Sequence, residues 1–404
     1  MEDDFVKCPD WLAQIIDEEG GIISFKRYMD LVLNYSSFGF YSSGKINISR
    51  KGDFVTSPTL GSDFSELLTI QLIDWIKQLK EEANDLYKIS LIEFGPGEGD
   101  LIADIISTIY SLAPEVIEYI EIILVEINHG MYLKQKEKLK SYDSISIIWA
   151  NIEDIVDKPV YGVVIAHEIL DALPVERLIY KDNTFHREAV KLININNQYY
   201  IYLTILPMYK SLTDSINEVK IRYSFEFPPK NTSEVWKTEW HISLKPWFEK
   251  ISESMKKGCL VIIDYTLDAK RYYTKDRFDG TLINYSKQST SNNILSNPGD
   301  SDLTSHICIE TLKYYAEASN WLFKGKVKQG EALLSLGLAQ KIYELREVSM
   351  LNPALALSKR ESLLRLVDPR CLGNFDWLVF EINNLDSSRL NLRSKCLDEP
   401  IKDY

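Results

Sequence analysis

The chain has 404 residues, 45% hydrophobic and 11% aromatic, enough for a sizeable core in two or three domain equivalents or in one elaborated catalytic domain. Its 46 basic and 59 acidic residues leave a net charge of −13, which argues against a broad phosphate-binding surface and so against a nucleic-acid partner. The five cysteines are scattered and include no C-x-x-C pair, so neither a disulfide framework nor a metal site is indicated. Together with an acidic N-terminus and no apolar run near the roughly 18 residues that cross a bilayer, they point to a cytoplasmic protein without a membrane span.

In chain order, residues 1–65 carry two short helix candidates. Runs rich in Ile, Leu and Val that fit buried strands follow at Ile89 to Phe94, Ile120 to Glu126, Ile145 to Trp149, Val160 to Ala166 and Cys259 to Asp264. Between most of them lie helix-like stretches such as Leu101 to Tyr110 and Met131 to Leu139. This alternation predicts an α/β fold with a parallel, doubly wound sheet, its first part within residues 66–175. Glu176 to Leu206 breaks the pattern, because three strand-like runs are separated by Lys181-Asp182-Asn183 and Asn196-Asn197, both hairpin turn signals. Residues 176–240 are therefore read as an antiparallel β insert. The core resumes over 241–382, where a helix at Glu310 to Ser319 and strands at Trp321 to Val327 and Asp376 to Ile382 bring the strand count to seven. Within it, the polar stretch Ser286 to Asp302 reads as a long loop, either part of an active-site region spanning 266–304 or a plain surface loop. Residues 383–404 form a polar tail.

In LIEFGPGEGDL, Gly95, Gly97 and Gly99 sit after a strand and before a helix, where positive φ values and close approach of a ligand to the backbone require glycine. A dinucleotide loop would have its third glycine at position 100, but that residue is Asp100, which would repel a pyrophosphate. No Gly-Lys-Ser/Thr follows, so a P-loop is excluded as well. Glu93 at the strand end suits the ammonium and sulfonium of S-adenosylmethionine, a cofactor without phosphate. Glu126, at the end of the next strand, is placed to accept hydrogen bonds from both ribose hydroxyls. After the third strand, Asn151 and the Ile152 backbone are the candidates for adenine, with Glu153 as a further acid. Seven strands are also the number in a class I methyltransferase sheet.

The fourth strand runs into His167-Glu168-Ile169-Leu170-Asp171-Ala172-Leu173-Pro174, at the sheet edge where open α/β folds carry chemistry. If this segment is helical, Glu168 and Asp171 share a face and can grip one cation. A protonated guanidinium, with its planar fork of donors, fits such a pair. A structural role for one of the two acids, capping a helix or pairing with Arg177, stays open.

These motifs together resemble the MidA-like methyltransferase family, which includes a mitochondrial complex I assembly factor that methylates an arginine. The resemblance spans roughly residues 21–340. Its marks are FGFYS from Phe38, GDFVTSP from Gly52, EFGPGEG from Glu93, HEILDALPV from His167, IIDY from Ile262, PGDSDLTSHI from Pro298 and QGEALLSLGL from Gln329. It implies a Rossmann-like seven-stranded class I fold with an N-terminal helical lid in which Asp53 and Thr56 are polar contacts to the cofactor. It also implies that the acceptor is a protein arginine, in a subunit of a respiratory or NAD(P)H dehydrogenase-like complex. His167, placed among the cofactor contacts, stands where the family usually has asparagine. His306, in a stretch that keeps the family pattern, could accept a proton after methyl transfer or simply bridge two loops. Two other functions are weighed: an assembly chaperone that retains the cofactor fold, and a nicotinamide-dependent oxidoreductase.

Overall fold

The structure, a computed structural model, describes residues 5–43, 56–83, 87–232, 234–286, 289–385 and 389–399. It divides into two compact units, the first built from Met1–Ile46, Leu170–Trp247 and Thr266–Tyr315, the second from Asn47–Ile169, Phe248–Tyr265 and Ala316–Tyr404.

The second unit holds a seven-stranded sheet of β1 (Ile89–Phe94), β2 (Ile120–Val125), β3 (Ser146–Ala150), β4 (Val160–His167), β5 (Met255–Asp264), β6 (Leu322–Lys328) and β7 (Asp376–Asn383). Their spatial order is β6-β7-β5-β4-β1-β2-β3. β1 to β5 pair in parallel, and β7 runs antiparallel to both of its neighbours. Every residue of β1 is buried, including Ser90 and Glu93 among its Ile, Leu and Phe, as expected when helices cover both faces of a sheet. Three helices matter for the site: α1 (Asp63–Ala83), α2 (Asp100–Leu112) and α3 (His129–Leu139). In α1 the buried Phe64, Leu68, Leu72, Trp75 and Leu79 recur at three- and four-residue spacing and join the core with Ile102, Ile105 and Ile109 of α2. Each such side chain removed from water stabilises the unit by roughly 1.5–3 kcal/mol.

The first unit contains the antiparallel insert. Strands Glu176–Lys181, Thr184–Ile195 and Gln198–Pro207 are joined by turns in which Asp182, Asn183, Asn196 and Asn197 all have positive φ, from 51 to 62°. That is the type I′ geometry that matches the twist of the flanking strands. Val235–Trp240 adds a fourth strand. The N-terminal segment, read from sequence as helical, also supplies two strands: Val6–Lys7 pairs with Gln198–Pro207, and Ile22–Ser24 with Thr184–Ile195. These runs are too short for periodicity to reveal, and they form because neighbouring strand edges supply hydrogen-bond partners.

The polar stretch read as a loop is partly a sheet. Ile283–Ser286 pairs with Ser289–Ser291 on one side and Asp302–Thr304 on the other. Between them the Ser296 carbonyl accepts from Asn284 Nδ2 and Ser301 Oγ, which satisfies irregular backbone without an apolar pattern. An aromatic cluster of Phe227, Trp236, Trp240, Tyr272 and Tyr273 packs this unit.

Among the described residues no helix is long and apolar enough to cross a membrane. All five cysteines are unpaired thiols.

Candidate functional site

The carboxyl ends of β1, β2, β3 and β4 carry the residues that the sequence singles out. Connections from β1 and β4 leave in opposite directions along the sheet, which opens a crevice at this edge. At the end of β1 the chain turns through Gly95, Gly97 and Gly99 with φ of 59, 53 and 84°. The Gly95 N–H donates to the Val125 carbonyl at 3.0 Å, which ties the loop to β2.

Glu93 is 3% exposed, and its Oε2 has no hydrogen-bond partner among the described residues. Burial pushes its carboxyl up to about 8, with the negative charges of Glu126 and Asp100 adding to the effect. A buried, partnerless carboxylate fits the amino acid ammonium of S-adenosylmethionine, whereas a pyrophosphate would add charge of the same sign. Asp100 carries less of this argument than its position suggests, because Lys138 lies 2.5 Å from its Oδ1. Glu98 is paired likewise, with Lys134 at 2.8 Å.

Glu126 follows β2 directly. Its Oε1 accepts the Asn128 N–H at 2.7 Å and its Oε2 accepts Gln135 Nε2 at 3.0 Å, so the carboxylate is oriented and keeps lone pairs for ribose hydroxyls. Burial raises its pKa against these hydrogen bonds. Gln135 of α3 was not apparent from sequence: the same Nε2 also donates to the Gly97 carbonyl at 2.7 Å, and its Oε1 accepts the Trp149 indole N–H at 2.9 Å. The sequence offers only a glutamine nine positions after a predicted ribose ligand, with nothing to mark it as buried.

Asn151 is exposed at the end of β3, and its N–H donates to Asp154 Oδ2 at 3.0 Å as Ile152–Val156 begins a short helix. Glu153 meets Lys250 at 3.4 Å. Asp53 lies outside the described residues. The Thr56 backbone is held in a turn, its N–H donating to Thr59 Oγ1 at 3.1 Å. Next to it, buried Ser57 accepts from Gln329 Nε2 at 3.2 Å, joining two of the sequence motifs across the chain.

His167 ends β4 with its ring 5.4 Å from that of Phe64 and 6.3 Å from that of Phe375. Burial pushes its pKa down to about 3, so the imidazole is neutral and its 3.4 Å contact with Glu168 Oε1 is not an ion pair. The segment that follows is not a helix. Glu168 continues the sheet by donating its N–H to the Ile263 carbonyl at 2.9 Å, and its φ of 51° is incompatible with a right-handed helix. Glu168 and Asp171 therefore do not share a helix face. Neither acid has Arg177 as a partner there: Arg177 pairs with Glu188 and, at 2.6 Å, with Asp279.

Asp171 belongs to the first unit, where its carbonyl accepts the Ser305 N–H at 3.0 Å. Its electrostatic neighbour is Asp302, buried at 2% exposure, which Tyr41 hydrogen-bonds. Burial pushes Asp302 up to about 7, with the Asp171 charge adding, and raises Asp171 into the same range. His306 is half-buried, and its N–H donates to Thr281 Oγ1 at 3.1 Å. The adjacent Ser305 hydroxyl lies 3.4 Å from Nε2 of the buried His241.

Residues 67–327 match the family described as "Putative S-adenosyl-L-methionine-dependent methyltransferase". The Danio rerio protein named "Protein arginine methyltransferase NDUFAF7, mitochondrial" is 24% identical over 382 residues, covering 87% of this chain and 82% of its own length. The Homo sapiens protein of the same name is 25% identical over 390 residues, 87% of this chain and 78% of its own. The crystal structure of a COG1565 superfamily member from Burkholderia thailandensis, bound to S-adenosyl-homocysteine, aligns with a TM-score of 0.80 at 20% identity. That alignment covers 97% of this chain and 95% of the other, and the α/β fold is shared.

Proposed function

Because the chain belongs to the MidA-like family of S-adenosylmethionine-dependent methyltransferases, we propose that it methylates an arginine side chain of a protein. We place that protein among the subunits of a respiratory or NAD(P)H dehydrogenase-like complex. The observation that carries the reading is the partnerless, buried carboxylate of Glu93 beside the glycine loop, a fit for a cationic cofactor. The relatives named as protein arginine methyltransferases support the acceptor class. The strand order supports reading the sheet as the Rossmann-like sheet of class I enzymes.

S-adenosylmethionine supplies a methyl group on a cationic sulfur: the acceptor nitrogen's lone pair forms the N–C bond, the S–C electron pair stays on sulfur, and the nitrogen loses one proton. The chain's residues bind and orient. Glu93 holds the ammonium, the glycine loop admits the cofactor close to the backbone, Glu126 holds the ribose, and Asn151 with the Ile152 backbone holds the adenine. Thr56, with Asp53, belongs to a lid. Glu168 and Asp171 draw the guanidinium's positive charge away from the attacking nitrogen, as in-line transfer demands. His306 receives the released proton.

The test is incubation with labelled S-adenosylmethionine and candidate subunits, followed by hydrolysis and amino acid analysis. Label should appear as methylarginine and fall about a hundredfold in Glu168→Ala and Asp171→Ala. Label on another residue sinks the arginine reading, and undiminished label in both variants removes the two acids from it.

A further inference from the structure

We propose that the first unit contains a cation subsite in which Asp302 completes Asp171, with Tyr41 and Tyr285 as aromatic walls, and that it receives the side-chain cation of the methyl acceptor. The inference rests on the arginine reading for the identity of that cation, a guanidinium.

Four chain segments converge here. Asp302 opens the strand Asp302–Thr304 and lies directly opposite Tyr285 in an antiparallel pair, so the two side chains stand together on one face. Tyr41 comes from the N-terminal segment and hydrogen-bonds the Asp302 carboxylate. Asp171 acts electrostatically on both Asp302 and Tyr285, and the Ser305 N–H pins its backbone at 3.0 Å to the turn after the strand. Among the described residues, Asp171 and Tyr41 act on Asp302, and Tyr285 feels the charge of both acids.

The decisive observation is independent of the acidic cluster as such. Asp302 is 2% exposed, yet its Oδ1 has no hydrogen-bond partner among the described residues. Native structures rarely leave a buried acceptor without a partner, so the Asp302 Oδ1 calls for a water, an ion or a ligand group. The surroundings specify the ligand. Two carboxylates call for positive charge and in-plane N–H donors, and tyrosine faces stabilise a planar cation lying against them. A guanidinium presents both its edge and its face, and it stays charged at any working pH.

Calorimetric titration of the full chain, with S-adenosylhomocysteine bound, tests this. The probes are N-acetyl-arginine methylamide and its citrulline and lysine counterparts. The arginine compound should bind at pH 8 and weaken at least fivefold at pH 6, where protons occupy the acids. Citrulline, of the same shape without the charge, should bind at least tenfold more weakly. Asp302→Asn should cost at least tenfold and Tyr285→Leu about threefold, with S-adenosylhomocysteine affinity unchanged as the check on folding. Wild-type binding of the arginine compound in both variants overturns the subsite and leaves the arginine reading standing. Equal binding of citrulline, or no binding of either cationic probe, overturns the subsite too. Preference for the lysine compound, lost in Asp302→Asn, upholds the subsite and overturns the arginine reading.

Discussion

Gln135 reaches back from α3 and donates through Nε2 to the carbonyl of Gly97 at 2.7 Å. The same amide contacts Glu126 and Trp149, so one buried side chain fixes the glycine loop, the Glu126 carboxylate and the end of β3. Gln135→Leu keeps the volume but strands the Gly97 carbonyl and the Trp149 indole. Stability should fall by about 1–3 kcal/mol in urea unfolding, and affinity for S-adenosylhomocysteine by roughly tenfold in calorimetry. Unchanged affinity would mean that the loop holds its shape unaided.

Glu93 should make cofactor binding a proton-linked event. Its pKa, raised from 4.5 to about 8 by burial, means that the folded protein holds a proton that the unfolded chain has lost between those values. Its contribution to stability is therefore complete below about pH 4.5 and is lost as pH rises through 8. Glu93→Gln should flatten this slope in denaturant titrations from pH 5 to 8. A cation bound against the carboxylate requires its ionised form. S-adenosylmethionine binding at pH 7 should thus release a proton, seen as a dependence of the apparent enthalpy on buffer ionisation heat. The glutamine variant should show neither the proton release nor full affinity, and release of the same size in the variant would move the effect to another group.

The strands were legible because β1, β2, β4 and β5 are apolar runs with helical periodicity between them, and the insert because paired Asp and Asn residues announce type I′ turns. The glycine loop was legible for the same local reason. What escaped were contacts between residues far apart in sequence. Gln135 looks like any polar residue on a helix until the fold brings Gly97 beside it. Asp302 could be quoted as part of a motif, but its pairing with Asp171 across 131 positions has no local signature. The shared helix face considered for Glu168 and Asp171 does not form, because a tertiary hydrogen bond, Glu168 N–H to the Ile263 carbonyl, holds this segment in extension of the sheet.

Gly95 is constrained twice, and the two constraints can be separated. Its φ of 59° penalises any L side chain, and an added Cβ would stand 2.7 Å from Ile169 Cδ1. Gly95→Ala should destabilise the protein by about 1–3 kcal/mol, the sum of left-handed strain and overpacking. Ile169→Val removes the offending methyl, so in the Gly95→Ala background it should return the packing part and leave the backbone part. A double-mutant cycle in urea reads the coupling directly. Strict additivity would show that Ile169 moves aside freely and that strain alone opposes the alanine.

His167 tests whether a histidine at the end of β4, where the resemblance implies asparagine, alters the chemistry. With a pKa pushed down from 6.5 to about 3 by burial, its ring is neutral throughout the working range, although the unfolded chain protonates near 6.5. The folded state therefore gains stability as pH rises to about 6.5 and loses it as pH falls toward 3, the reverse of Glu93. His167→Asn should remove this acid sensitivity while costing about 1–2 kcal/mol at neutral pH, because the smaller amide leaves space beside Phe64 and Phe375. The pH dependence of methyl transfer should stay the same in the variant. A neutral imidazole contributes no ionisation there, and an acid limb near pH 7 is expected from Asp171 and Asp302. Disappearance of that limb in His167→Asn, with its retention in Asp302→Asn, would assign the ionisation to His167 and overturn the neutral-ring account.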